Sequence, residues 1–257
     1  MTLLPRLRWI DVPFLVLIGA VAACCSWLGA WQLQRYQTRV QDNARIAARL
    51  QQDAVQFDSL LPLNGLDEYR RVTVQGEFLP DQRAFFGNRE YQGLSGTHLL
   101  AAFKPTDSQD VLVVDLGWVP MAVGVVVEPS QYLPGGVQTL TGVLMPSRQL
   151  PVWLAALQSQ PTADRPNATW RTVDVDAIAA VWQYKVQPLY LEVRPLEQPS
   201  QPSGTGNQKT LPYFQSEIEL STGSHLGYAV QWFAFAIIAV AGGWFLLQRA
   251  NITPDKV

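Results

Sequence analysis

"VPFLVLIGAVAACCSWLGAWQL" runs from Val12 to Leu33, and "LGYAVQWFAFAIIAVAGGWFLL" runs from Leu226 to Leu247. Neither stretch contains an acidic or basic side chain. Each is roughly 22 residues, which as a helix rises ~33 Å and crosses a hydrocarbon core of about 30 Å. The intervening sequence is mixed and compatible with water. The expected architecture is therefore a membrane α-helical hairpin of two transmembrane helices bearing a mainly β, α+β soluble domain. Its divisions are a tail at 1–11, a span at 12–33, a β-rich domain at 34–225, a span at 226–247 and a tail at 248–257.

The first run reads as a retained span. It is longer than the apolar part of a cleaved signal and lacks a clear cleavage pattern. "VAAC" at Val21–Cys24 has the look of a lipoprotein processing box, but the chain stays apolar through Trp27, Leu28 and Trp31. Cys24 and Cys25 are adjacent, so on a helix they point about 100° apart and suit neither a disulfide nor a chelate. They read as small membrane residues, and the middle domain contains no cysteine. The net charge of −2 gives no electrostatic footprint for nucleic acid. Two spans place both tails on one side. Arg6, Arg8, Arg249 and Lys256 favour cytoplasmic tails, while Arg35, Arg39, Arg45 and Arg49 argue the reverse.

Beyond Leu33, Val40, Ala44, Ala47 and Leu50 keep a helical rhythm until Pro62 and Gly65 break it. Six strand-like segments follow: "RRVTVQGEF", "RAFFGN", "THLLAAF", "DVLVVDLGWVP", "VQTLTGVLM" and "QPLYLEVRP". A Pro80-Asp81 turn signal separates the first two. The set predicts an antiparallel sheet or small barrel. A short helix is expected over 175–183, capped by Asp174. The Pro/Ser/Gly/Gln-rich run 195–210 reads as an exposed loop.

No phosphate-binding loop, dinucleotide fingerprint, HExxH or nucleophile elbow is present, so an enzyme is not expected. His98 reads as a strand residue. Glu217 and Glu219 read as solvated carboxylates. Asp115, inside "VLVVDLGW", is a carboxylate in an apolar strand that wants a partner, and the sequence names none.

At about 100° per residue, His225, Tyr228, Ala229, Trp232, Ala236, Ala239 and Gly243 share one face of the second span. Ala20, Ala23, Trp27 and Trp31 share a face of the first. Small residues lie deep on both, and rings lie near the soluble domain. Packing these faces predicts a hairpin tight at depth, with a mouth lined by Trp27, Trp31, Tyr228, Trp232 and His225. Aromatic residues also gather at membrane interfaces without any ligand. A planar apolar metal cofactor would suit such a slot, with His225 as an axial ligand to haem iron.

These residues resemble the Surfeit locus one family, assembly factors for cytochrome c oxidase. "LGAWQLQRYQTR" (Leu28–Arg39), "YRRVTVQGEF" (Tyr69–Phe78), "GNREYQGLSGTHLL", "VLVVDLGWVP" and "HLGYAVQWFAFA" look like the family's motifs, in order, across nearly the whole chain. Three positions depart from the pattern. Leu116 stands where arginine is usual, Gly223-Ser224 replace an asparagine before the histidine, and Arg39 stands where lysine is frequent.

The resemblance implies a multi-pass protein of the bacterial inner membrane with cytoplasmic tails and a periplasmic central domain. It implies work on oxidase subunit I alongside the haem A biosynthesis machinery. It also implies haem a binding through a histidine, which here is His225. The alternative is a structural chaperone that stabilises an oxidase intermediate and binds no cofactor.

Overall fold

The computed structural model describes residues 9–91, 93–120, 132–151, 169–194, 212, 218 and 220–252. The loop expected over 195–210, Glu217 and Glu219, and residues 1–8 and 253–257 of the two tails lie outside the described residues. The chain divides into two compact units, residues 1–45 with 219–257, and residues 46–218.

The first unit contains most of one long helix and all of a second. α1 (Val12–Leu50) is one continuous helix of 39 residues, and α3 (His225–Ile252) has 28. Both are long and apolar enough to cross a membrane. At 1.5 Å per residue α1 is ~58 Å long, well beyond a bilayer core. The helical rhythm of Val40 to Leu50 is thus a direct continuation of the first span, without a break.

The second unit is a seven-stranded mixed sheet that closes on itself. Its strands are β1 (Val55–Gln56), β2 (Arg71–Tyr91), β3 (Leu94–Pro105), β4 (Leu112–Pro120), β5 (Val137–Pro146), β6 (Thr169–Trp170) and β7 (Leu189–Val193). The order is β1-β2-β3-β4-β7-β5, and β5 pairs back onto β2, so β2, β3, β4, β7 and β5 form a ring. The expected domain class holds. The pairing is not purely antiparallel, because β4–β7, β1–β2 and β2–β6 are parallel.

Pro80-Asp81 does not end a strand. Pro80 has no N–H for the ladder, so β2 takes up an irregularity between Leu79 and Arg83 and continues. One long bent strand thereby serves both halves of the barrel: residues 71–77 pair with β5, and 83–91 continue along β3.

Alternation along the strands sorts two apolar cores. Val72, Val74, Leu99, Phe103, Val114, Leu116 and Leu191 fill the ring. Leu100, Ala102, Val113 and Tyr190 point outward, where the short helix α2 (Val175–Trp182) covers them with Ile178 and Trp182. Asp174 caps α2 as expected, its carboxylate accepting from Ala177 N–H, and Gln183 ends it in the left-handed region.

Candidate functional site

The α1–α3 seam is where a polar side chain meets its partner inside apolar sequence. His225 is the first residue of α3, and its Nδ1 lies 2.8 Å from Gln32 Oε1 on α1. The amide oxygen can only accept, so Nδ1 carries the proton and donates. In a neutral imidazole this leaves Nε2 with a free lone pair, the tautomer a metal ligand needs. Gly223, at φ +68°, holds the turn just before the helix. A Cβ there would stand 3.5 Å from His225 Cδ2 and 3.6 Å from Nε2, so glycine keeps that edge of the ring uncovered. Gly223, one of the two residues that depart from the family pattern here, therefore borders Nε2.

Below this pair the helices pack through small residues. On α3, Ala229, Ala236 and Gly243 of the expected face are buried, and Leu247 continues the stripe. Gly243 meets Ile18, and a Cβ on Gly29 would lie 2.9 Å from the Phe233 ring. The opposing face of α1 is Ile18, Ala22, Cys25, Gly29 and Gln32, a four–three–four–three spacing along one stripe.

This corrects the expected face of Ala20, Ala23, Trp27 and Trp31, which lies on the opposite side of the helix, about 140–180° around. Ala20 and Ala23 are exposed, and Trp27 and Trp31 are 67% and 42% exposed. Tyr228 is 49% exposed, and Trp232 is half-buried with its ring edge-on to Phe235 at 5.9 Å. The expected aromatic mouth is thus not assembled. Trp31 instead lies under the Arg35 guanidinium at 5.7 Å.

The physical reason is that three other small residues, Ala22, Cys25 and Gly29, form an equally good stripe, and the Gln32–His225 bond sets the rotation. Gln32 escaped the sequence reading. Its signal was a lone amide at the end of an apolar span, a group costly to leave unpaired there. The opening also falls at the other end from the one expected. A groove of about 570 Å³ lies at depth, between Leu15–Ser26 of α1 and Ala236–Leu247 of α3.

The barrel contains a second polar cluster. His98 Nδ1 donates to Asp115, 2.9 Å from Oδ2 and 3.1 Å from Oδ1. Asp115 Oδ1 also accepts Gly117 N–H at 2.8 Å. Both side chains are buried, and the Phe86 ring stands edge-on to the imidazole at 5.9 Å. The partner that Asp115 required is therefore His98, one strand away. On the same sheet face, paired with Asp115 across β4 and β7, Glu192 binds Arg194 at 2.6 Å.

Burial raises the Glu192 carboxyl above its usual range, opposed by the Arg194 guanidinium. Burial, together with the charges of Asp115 and Glu192, pushes the Tyr190 phenol far up, so it stays protonated. Among the described residues, no hydroxyl or thiol bonds the His98 ring, and no three side chains are grouped to hold a metal. The pair joins β3 to β4 where their register shifts between His98 and Leu100. Leu116, in place of the family's usual arginine, is buried in the ring core beside Gly117, whose φ is +101°.

The SURF1 family profile matches residues 19–237. An uncharacterized SURF1-like protein of Mycobacterium tuberculosis is 27% identical over 252 residues, covering 94% of this chain and 87% of the relative. A SURF1-like protein of Rickettsia felis is 24% identical over 227 residues, covering 88% of this chain and 92% of its own. One from Monosiga brevicollis is 25% identical over 239 residues, covering 86% and 82%. The profile match runs from within α1, through the whole barrel, to within α3, and the chain belongs to the SURF1 family.

Proposed function

We propose that this protein is a non-enzymatic assembly factor for haem-copper cytochrome c oxidase that holds haem a through His225 and passes it to subunit I. Family membership supports the coarse part, cytochrome oxidase assembly. The observation that carries the finer part is the Gln32 Oε1–His225 Nδ1 bond. It orients the imidazole and leaves Nε2 as a lone-pair donor beside Gly223, the arrangement by which outer partners prepare histidine ligands. The bound haem would supply the redox and oxygen chemistry of the oxidase, not of this protein. The chain's own residues would bind and release it: His225 would hold the iron, Gln32 sets the imidazole tautomer, and half-buried Trp232 lies two turns along the same helix. A single histidine ligand would suit reversible holding.

In this reading both helices cross the bacterial inner membrane, the barrel faces the periplasm, and haem arrives from the haem A biosynthesis machinery. The test is purification in detergent from cells making haem A, followed by pyridine haemochrome analysis. The parent protein should carry haem a, and His225→Ala should be membrane-inserted with little or none. His98→Ala should keep its haem, because His98 is bonded within the barrel sheet. Haem retained at the parental level by His225→Ala, with an unchanged spectrum, would reject the ligand assignment.

A further inference from the structure

The seam that carries His225 changes character along its length. On one side of Gln32, Arg35 and Arg39 follow about one and two turns along α1. On the other side, all of the groove residues of α1 precede Gln32, and those of α3 follow His225. The groove begins on α3 at Ala236, ~16 Å of helix rise from His225. Ala236 and Gly243, from the buried stripe that leads away from the histidine, also line it. Its lining is apolar apart from Ser26. Cations, imidazole and apolar trough therefore lie in series along one helix pair.

A flat ligand held at the imidazole would meet positive charge at one edge and an elongated apolar cleft at the other. A haem with propionates on one edge and a long isoprenoid chain on the opposite edge matches both ends. A haem without that chain leaves the groove unused. We propose that the groove between α1 and α3 receives the isoprenoid tail of the haem, with its carboxylates turned toward Arg35 and Arg39, so that the helix pair selects tailed haems over protohaem. This rests on the haem reading above.

The chemistry of the tail sets the size of the effect. Detergent or lipid already solvates an isoprenoid chain, so selection comes from packing against the groove wall rather than from escape out of water. About a ten-fold preference is the expected scale for such packing.

The experiment titrates the full-length apo protein, in detergent, with three haems followed by absorption. They are protohaem, haem o (which carries the tail but no formyl group) and the dimethyl ester of haem o. The parent should bind haem o about ten-fold tighter than protohaem. Ser26→Phe and Ala241→Phe fill the groove from exposed lining positions without entering the buried seam. Each should abolish the preference while leaving protohaem affinity as in the parent. Arg35→Gln with Arg39→Gln should weaken haem o but not its dimethyl ester.

A parent that binds haem o and protohaem equally overturns the groove assignment and leaves the His225 reading standing. So does a preference that survives both groove-filling changes, and in either case the groove is filled by membrane lipid. A parent that binds none of the three rejects the underlying haem reading instead.

Discussion

Gln32 decides how His225 is to be understood, because it turns a residue at a helix start into an oriented imidazole. Gln32→Leu removes the acceptor and frees the ring to rotate or change tautomer. Loss of an outer partner of this kind typically costs ten- to hundred-fold in metal affinity. If His225 holds haem as proposed, haem content should fall without vanishing, while His225→Ala abolishes it and the double variant is no worse than His225→Ala alone.

In the barrel, Asp115→Ala strands a buried imidazole and an unpaired Gly117 N–H. It should destabilise the domain by about 3 kcal/mol in urea unfolding, with Asp115→Asn milder. Glu192 gives a pH signature. Its raised carboxyl pKa means that the folded domain holds that proton more tightly than the unfolded chain does. The associated stability is full below the unfolded value, near 4.5, and is lost as pH rises through the folded one. Glu192→Gln should remove this loss. Whatever its absolute Tm, the variant should gain on the parent as pH goes from about 4 to about 7. A constant difference in Tm across that range would show that Glu192 does not titrate differently on folding.

At the scale of elements, α1 was legible as a helix and as a span, but its rotation was not. Stripes built on Ala20–Ala23 and on Ala22–Cys25–Gly29 are equally small, and nothing local distinguishes them. Only the partner helix does so, through Phe233 against Gly29, Ile18 against Gly243 and the Gln32–His225 bond. In a cysteine-free background (Cys24 and Cys25 replaced by serine), a cysteine pair at Ile18 and Gly243 should crosslink, and one at Ala23 and Gly243 should not. Gly243→Leu should separate the helices at a cost of about 1–2 kcal/mol, whereas Ala23→Leu should be nearly silent. β2 makes the same point in the sheet. A proline–aspartate pair is a sound turn signal, yet the antiparallel neighbour β3 holds the chain extended on both sides of it.

For the whole molecule, the 46–218 unit has its own closed ring and two cores, so as a separate piece it should unfold cooperatively in denaturant. A reporter active only in the periplasm should work within 199–208 and fail at Val257 if the proposed topology holds. The sequence by itself determined that there are two apolar spans, that a strand-rich domain lies between them, that Asp174 starts a helix, and which motifs mark the family. These follow from periodicity, length and local hydrogen-bonding chemistry, each contained within a few consecutive residues. Tertiary structure alone decided the closure of β5 onto β2, the meeting of His98 with Asp115, and the pairing of Gln32 with His225. Each joins residues far apart in the chain, and many partners satisfy the local pattern equally well. The choice among them is made by simultaneous packing of the whole surface, which no single segment encodes.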